Sequence, residues 1–235
     1  MRLDKYVMNA LQISKSDAKK IIKKKLIMVN NKIITNCDYS ITNETIKYDD
    51  KELIYKENIY LLMNKPKGYV CAKTDNLNPT VMDLITEYDV RKLNIVGRLD
   101  KDTTGLLIIT TDGNMVHHLT SPKHNKEKEY YVLCDKPFDE EDIFKAKEGI
   151  EIKDEDGSNY VCRSSIIKID EKNNYGACIT ITEGKFHQIK KMCKALNKEV
   201  LKLERVRISS LKIDENLSEG QYREMTEEEM NDLLK

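Results

Sequence analysis

The hydrophobic pattern changes near residue 59, and this change most constrains how the 235-residue chain can fold. Before it, apolar residues recur at helical spacing, at Leu3, Tyr6, Val7, Ala10 and Leu11. Ser14 and Asp17 stand at capping-box spacing and predict the start of a second helix. Residues 26–34 predict a β-hairpin with an Asn-Asn turn, and a strand is predicted around 42–48. The first part therefore reads as a small α/β domain.

From Ile59 onward, short apolar runs bounded by turn residues predict strands rather than helices. The predicted strands are 59–63, 69–71, 94–96, 106–110, 130–134, 160–169 and 177–182. Helices are predicted to open at Thr80, to span 187–196 and to begin after Thr226. We therefore predict an α+β protein with one domain at 1–48, a linker at 49–58 and a larger domain at 59–235, built on a mixed, largely antiparallel sheet.

Positive charge is concentrated at the start of the chain. The 40 basic and 40 acidic residues cancel overall, but residues 1–35 hold nine basic and two acidic side chains. A solvated helix face is the simpler interpretation, whereas several cations on one small surface also suit RNA phosphates. The candidate RNA-binding residues of this part are Arg2, Lys5, Lys19, Lys20, Lys23 and Lys24.

Membrane insertion is not expected from the sequence. No apolar stretch approaches the roughly 18 residues of a spanning helix, and no secretory apolar region follows the basic N-terminus. We therefore expect a cytoplasmic protein without a membrane partner. The six cysteines form neither a Cys-x-x-Cys pair nor a Cys/His cluster, which favours reduced, mostly buried thiols. We expect neither a metal nor a cofactor.

The polar loop from Gly97 to Gly105 is the candidate for chemistry. It lies between two predicted strands and holds two carboxylates and two cations within five residues, Arg98-Leu99-Asp100-Lys101-Asp102. An ordinary turn is the simpler interpretation, because Asp and Gly are common turn formers. A rigid loop between core strands is also where catalytic side chains tend to be positioned.

Four runs occur along the chain in a fixed order. They are Tyr60-Leu-Leu-Met-Asn-Lys-Pro-Lys-Gly-Tyr-Val-Cys71, Gly97-Arg-Leu-Asp-Lys-Asp-Thr-Thr-Gly-Leu-Leu-Ile-Ile-Thr-Thr-Asp-Gly113, Lys128-Glu-Tyr130 and Glu183-Gly-Lys-Phe-His-Gln-Ile-Lys-Lys-Met192. Together they resemble the motifs of pseudouridine synthases of the RsuA type, although Gly-Arg-Leu-Asp alone is a weak signal. Met1-Arg-Leu-Asp-Lys5 and the basic helices resemble the S4-like RNA-binding domain that precedes the catalytic domain in this family.

The resemblance implies a role for each matching residue. Asp100 is the implied catalytic carboxylate, and Lys190 is the cation that offsets its charge when a bound uracil excludes water. Tyr130 occupies the position whose ring stacks on the target base, although a half-buried strand tyrosine is the simpler interpretation. Arg98 is placed to fill the site that an extruded nucleotide vacates, or else it pairs with Asp102 on the surface.

Two more residues, His187 and Gln188, stand at the start of the predicted helix that holds Lys190. They either contact RNA or cap that helix. The implied reaction cleaves the N–C glycosidic bond of a uridine, rotates the base and rejoins it through carbon. Asp100 either attacks the ribose anomeric carbon or abstracts a ribose proton, and both routes remain open.

The resemblance further implies a ribosomal RNA substrate. We expect a monomeric enzyme that modifies one fixed uridine of 16S rRNA, free or in an assembling small ribosomal subunit. A synthase acting on 23S rRNA and a non-catalytic RNA-binding assembly factor are the alternatives. A carboxylate-dependent hydrolase of small molecules is disfavoured, because it gives the N-terminal lysines no task.

Overall fold

Two units with separate hydrophobic cores make up the chain, Met1–Glu57 and Asn58–Lys235. The computed structural model describes residues 1–11, 13–56, 58–154 and 156–234. Within these ranges, no helix combines the length and the apolar character needed to cross a membrane.

The first unit packs two helices against a four-stranded antiparallel sheet. Its elements are α1 (Leu3–Ala10), α2 (Lys15–Lys23), β1 (Ile27–Val29), β2 (Lys32–Ile33), β3 (Ile46–Tyr48) and β4 (Lys51–Glu52), with strand order β2-β1-β3-β4. The start of α2 is as predicted, because the Ser14 hydroxyl accepts a hydrogen bond from the Asp17 N–H at 3.1 Å. Both helices and the strands share one core, which includes Leu3, Val7, Ala18, Ile22, Ile27 and Ile46.

Two tight hairpins connect these strands. Asn30-Asn31 have φ angles of 45° and 62°, and Asp49-Asp50 have φ angles of 52° and 58°. Two consecutive left-handed residues match the twist of hairpin strands, and Asn and Asp tolerate this conformation. The segment 49–58, interpreted above as a linker, therefore contains a turn and a paired strand. It also packs on α1, since the Leu53 carbonyl accepts a hydrogen bond from the Tyr6 hydroxyl at 2.6 Å.

The second unit is built on a nine-stranded sheet. The eleven strands described in this unit, nine of them in that sheet, are β5 (Tyr60–Lys65), β6 (Asn94–Val96), β7 (Thr104–Thr110), β8 (Lys128–Cys134), β9 (Glu151–Lys153), β10 (Asn159–Val161), β11 (Ile166–Ile169), β12 (Gly176–Ile181), β13 (Val200–Ile208), β14 (Leu211–Lys212) and β15 (Tyr222–Glu224). Its helices are α3 (Gly113–Thr120), α4 (Glu140–Glu148), α5 (Gln188–Ala195) and α6 (Glu227–Leu234).

The strand order of the main path is β11-β12-β8-β13-β7-β5-β15. Strand β6 pairs with β7 and β14 pairs with β13, whereas β9 and β10 form a separate two-stranded sheet. Among the strand pairs of the described residues, β13 with β7 is the parallel one and the others are antiparallel. The predicted α+β class with a mixed, largely antiparallel sheet is therefore confirmed.

Strand β7 is buried along its whole length because both faces of the sheet are covered. Leu106 and Ile108 pack in the core that includes residues of α3 and α6, whereas Leu107 and Ile109 belong to a separate core cluster. A continuous apolar run is typical of a strand covered on both faces. The loop that carries Asp100 therefore leads into a strand whose seven residues are all buried.

The segment after β5 is less regular than predicted. The return strand expected at 69–71 is reduced to one bridge between Val70 and Thr80. The helix expected to open at Thr80 is a single 3₁₀ turn, Val81–Leu84. The Asp83 carboxylate accepts a hydrogen bond from the Thr80 N–H at 2.7 Å, so the capping-box signal marks a short turn here rather than a full helix.

The strand predicted over 160–169 is two strands, β10 and β11. The chain leaves the ladder between them because the Arg163 N–H donates to the Glu183 carboxylate at 3.0 Å. The helices predicted at 187–196 and after Thr226 are present as α5 and α6, within one residue of the expected bounds.

Candidate active site

The loop between β6 and β7 holds Asp100 close to the parallel strand β13. The Thr103 N–H donates to the Asp100 carbonyl at 3.1 Å and closes a turn. Gly105 has a φ of +100°, and a Cβ at this position would lie 2.4 Å from the Arg205 carbonyl oxygen. Strands β7 and β13 can approach this closely only because residue 105 has no side chain.

Lys65 supports this loop from β5. Its side chain is fully buried, and Nζ donates to the Pro66 carbonyl at 3.0 Å and to the Thr103 carbonyl at 2.8 Å. Burial lowers the pKa of Lys65. The ammonium therefore bonds backbone oxygens of Pro66 and of the 97–105 loop that would otherwise be buried without a donor.

Lys190, in the first turn of α5, lies between the two carboxylates of the loop. Its Nζ is 3.0 Å from Oδ2 of Asp100 and 2.6 Å from Oδ1 of Asp102. Burial lowers the pKa of Lys190, but the hydrogen bonds to Asp102 and Asp100 raise it by more, so the net shift is upward. The structure brings the predicted carboxylate and its predicted cation together. In the described ranges, Arg98 forms no ion pair with Asp102.

His187 borders the same carboxylate. Its Nε2 lies 3.4 Å from Oδ1 of Asp100, and the Phe186 ring stacks on the imidazole with 3.8 Å between centroids. The backbone of His187 is left-handed, with a φ of 54°, and its side chain makes no capping hydrogen bond. A non-glycine residue in this conformation costs about 1–3 kcal/mol, and such strain clusters at functional sites. The imidazole therefore faces Asp100 rather than capping α5.

Asp100 opens onto a pocket of about 300 Å³. Tyr130 lines it and is 8% exposed, and its hydroxyl has no hydrogen-bond partner within the described ranges. Arg98 lines the same pocket and is exposed to solvent. The apolar part of the wall includes Leu99, Ile181, Ile189 and Leu203. A pocket of this size and mixed lining suits one planar base with part of its sugar.

Gln188 is buried at the edge of this pocket. Its Nε2 donates to Oε1 of Glu183 at 2.7 Å, and its Oε1 accepts a hydrogen bond from the Lys185 N–H at 2.9 Å. Glu183 also accepts a hydrogen bond from the Tyr160 hydroxyl at 2.7 Å, and this bond raises the pKa of Tyr160. The amide of Gln188 thus holds the 183–188 turn in place. An RNA contact by Gln188 stays a prediction.

Comparison with known proteins decides the family. Residues 59–195 match the RNA pseudouridylate synthase family, and residues 1–42 match the S4 domain. The chain belongs to the RNA pseudouridylate synthase family. It is 36% identical over 236 residues to ribosomal small subunit pseudouridine synthase A of Vibrio vulnificus, and the match covers 100% of both chains.

Two further similar proteins support the assignment of this chain to the RNA pseudouridylate synthase family. An uncharacterized RNA pseudouridine synthase of Bacillus subtilis is 37% identical over 235 residues, covering 98% of this chain and 97% of the relative. A crystal structure of a pseudouridylate synthase is 34% identical with a TM-score of 0.70, covering 99% of each chain. The likeness therefore extends over both units of the synthase.

The predicted RNA-binding lysines of the synthase lie outside the core of the first unit. Those that are exposed are Lys5, Lys20, Lys23 and Lys24, while Lys19 is half-buried. Arg2 differs, because its guanidinium donates to the buried Asp4 at 3.0 and 2.8 Å and also pairs with Asp38. Its charge is balanced within the unit, and an RNA contact by Arg2 stays a prediction.

Sequence reasoning assigned no role to four charged residues around the synthase's 97–105 loop and pocket, although three of them stand in the quoted motifs. They are Lys65, Lys128, Glu183 and Arg205. The available signal was a charged residue inside an apolar strand, as with Lys65 in β5 and Arg205 in β13. Such a residue needs a buried partner. Which partner it finds depends on strands far apart in the chain.

The described ranges hold no group of three His, Cys, Asp or Glu side chains arranged to bind a metal ion. The six cysteines are free thiols, of which Cys134, Cys162 and Cys193 are buried. Burial raises the pKa of Cys162 to about 11, which keeps this thiol protonated and unreactive.

Proposed function

We propose that this synthase isomerises one uridine of small-subunit ribosomal RNA, the 16S rRNA, to pseudouridine. The Vibrio vulnificus relative, which matches along the whole chain, carries a name that specifies the small ribosomal subunit. The observation that carries the activity is the Asp100–Lys190 ion pair of 3.0 Å beside a pocket of about 300 Å³. The enzyme acts in the cytoplasm as a monomer, on free 16S rRNA or an assembling small subunit.

Recognition of the RNA is divided between the two units. The exposed lysines of α2 bind phosphates without reading the sequence, so their contribution weakens as salt rises. A base-paired uridine cannot reach a pocket, so the nucleotide is extruded and Arg98 fills the vacated stack. The ring of Tyr130 stacks on the extruded base.

Asp100 acts on the ribose of the extruded nucleotide. In one route its carboxylate attacks C1′, and in the other it abstracts the C2′ proton. In both routes the N1–C1′ bond breaks and its electron pair leaves with the uracil. The ring then rotates and C5 bonds to C1′. In the first route this bond displaces the Asp100 carboxylate from C1′, and in the second Asp100 returns its proton to C2′. The proton lost from C5 is balanced by one gained at N1. Lys190 offsets the charge of Asp100 while the base excludes water.

Asp100→Asn tests the chemistry, because it keeps the volume of the side chain and removes the charge. The rate of pseudouridine formation on a 16S transcript should fall at least about a thousandfold, while the Kd for RNA changes less than about threefold because phosphate contacts dominate affinity. Asp89→Asn is the matched control, since Asp89 is a surface carboxylate paired with Arg91. Turnover close to wild type in Asp100→Asn would refute the assignment.

The substrate is tested separately. Ribosomal RNA from cells lacking the synthase should lose one pseudouridine of 16S rRNA and keep every mark of 23S rRNA. Loss of a 23S mark with 16S rRNA intact would contradict the proposed substrate and leave the role of Asp100 untouched.

A further inference from the structure

Arg205 is a buried charge without an anionic partner. Its side chain, in β13, is 1% exposed, and Nε donates to the Leu106 carbonyl at 2.8 Å. Within the described ranges, Nη2 has no hydrogen-bond partner and no carboxylate forms an ion pair with the guanidinium. Buried charges in native proteins are nearly always paired, so an unpaired one points to a missing ligand.

Arg205 lines the same pocket as Asp100. Arg205 stands directly opposite Tyr130 in the β13–β8 register. Directly opposed residues of an antiparallel pair project to the same face of the sheet, with Cβ atoms about 4.5–5.5 Å apart. Arg205 and Tyr130 are therefore neighbours on the wall of this pocket, and the guanidinium extends from there toward β7, where Nε bonds the Leu106 carbonyl.

Lys128 adds a second cation to this wall. It precedes Tyr130 by two residues on β8, so both project to the same face, and both line the pocket. Its Nζ donates to the Lys126 carbonyl at 3.2 Å, and within the described ranges it forms no ion pair with a carboxylate. Burial, and then the charge of Arg205, lower the pKa of Lys128.

The carboxylates of the pocket do not balance these two cations. Asp100 is paired with Lys190, and Glu183 accepts hydrogen bonds from Tyr160 and Gln188. The wall beside Tyr130 is therefore positive, and both N–H groups of Arg205 Nη2 are left unused by the described residues. The ligand that fits it is an oxygen acceptor that carries or develops negative charge.

We propose that Arg205 binds a carbonyl oxygen of the extruded uracil and stabilises the uracilate that forms during the reaction. The proposal rests on the function proposed above. When the N1–C1′ bond breaks, its electron pair passes to the ring, and the negative charge spreads over N1 and the carbonyl oxygens. A donor fixed in a water-poor pocket stabilises such developing charge more than water does. The ammonium of Lys128 adds to the positive potential that stabilises this charge.

A phosphate group of the RNA is the other acceptor with this chemistry. The placement of Arg205 favours the base, because the guanidinium is buried beside apolar walls that admit a planar ring. A phosphate is a strongly hydrated ion, and the exposed Arg98 and Lys101 are better placed to meet one.

Arg205→Met and Arg205→Lys test the proposal in the full-length synthase. The single-turnover rate constant of Arg205→Met should fall about a hundredfold or more, whereas the Kd for RNA should change less than about threefold. Arg205→Lys keeps one point charge and should lose less. Arg207→Met is the matched control, because Arg207 lies two residues away on β13 and pairs with Glu127 and Glu129 instead.

Substrate analogues separate a contact with the base from a structural role. Transcripts carry 2-thiouridine or 4-thiouridine at the target, since sulfur is a weaker hydrogen-bond acceptor than oxygen. For one of the two, the rate ratio of uridine to thiouridine should differ at least about fivefold between wild type and Arg205→Met, the size of one hydrogen bond. Arg205→Lys provides the same comparison if the methionine variant does not fold.

The phosphate arm uses methylphosphonates, which remove the charge of the phosphates on either side of the target. Coupling of Arg205 to a methylphosphonate and not to a thiouridine would overturn the proposal in favour of phosphate binding. Coupling to neither, with a lowered melting temperature, would leave Arg205 a purely structural residue and also overturn it. Either result is distinct from failure of the proposed function, which Asp100→Asn reports.

Discussion

Replacing Lys65 by methionine should slow catalysis, although we expect the side chain of residue 65 to make no contact with the substrate. The variant removes three hydrogen bonds of the ammonium, to the Pro66, Thr103 and Lys101 carbonyls at 3.0, 2.8 and 3.5 Å. Each of the two shorter, charge-assisted bonds is worth roughly 1.5–3 kcal/mol. Methionine lacks the desolvation cost of a buried ammonium, and this difference offsets part of the loss. We therefore expect a net loss of about 3 kcal/mol in unfolding free energy. For a unit of this size, that corresponds to a melting temperature lower by about 6–12 °C.

The rate should fall for a different reason than the stability. Without the ammonium, the Thr103 carbonyl loses its donor and the turn that presents Asp100 is no longer fixed. A displacement of about 1 Å can cost on the order of a hundredfold in rate, so single-turnover kinetics well below the melting temperature should show a loss of this size. The Kd for RNA should stay within about threefold of wild type.

Lys198→Met is the matched control for this prediction. Lys198 is also a buried lysine, and it pairs with Asp142 at 2.8 Å, but it does not line the catalytic pocket. Breaking this pair should cost about 3–5 kcal/mol in stability and leave the single-turnover rate near wild type. Equal rate losses in the two variants, at equal loss of stability, would refute the positioning role of Lys65.

Three further variants have expected outcomes. Gly105→Ala places a Cβ 2.4 Å from a carbonyl oxygen of β13, so unfolding by urea should show a loss of at least about 3 kcal/mol. The hydrogen bond from Arg2 lowers the pKa of Asp4, so this carboxylate stabilises the first unit above its ordinary pKa of 3.8, and the stabilisation is lost as pH falls through the lowered value. The protection factors of the α1 amides, which correct for the slower intrinsic exchange at low pH, should fall at acid pH, and Asp4→Asn should lower them already at neutral pH. Phe186→Leu should raise KM about threefold to tenfold with kcat nearly unchanged, because an exposed ring in the groove beside Asp100 suits stacking on a flanking base. Phe144→Leu, at a more exposed ring that does not line this groove, should change neither.

The parts of the fold that could be predicted from the sequence are those with a local cause. The Ser14–Asp17 pair marks the start of α2, and Thr226 marks the start of α6. The capping pair at Thr80 misled for a local reason as well, since it closes a single 3₁₀ turn there. Segment 49–58 was interpreted as a linker because linkers are often rich in charged residues. Charged residues also form tight turns, and such a turn allows part of this segment to pair with β3.

The candidate site divides in the same way. Asp100, Tyr130 and Lys190 were named from motifs, and the structure places all three around one pocket or ion pair. The buried supports could not be named, because a lysine at the end of β5 or an arginine in β13 acquires its meaning only from strands that meet it in space.

The ion pair at the centre of the site does not set its own geometry. The Asp100 and Lys190 side chains are 27% and 23% exposed, and ion pairs that keep contact with solvent typically contribute about 0.2–1 kcal/mol. The loop is instead held by Lys65, and the start of α5 by the Gln188–Glu183 hydrogen bond of 2.7 Å. Because these two supports are independent, Asp100 should keep its position when Lys190 is removed. Lys190 therefore supplies positive charge to Asp100, while Lys65 and Gln188 fix the positions of the two groups. A preorganised site requires both functions.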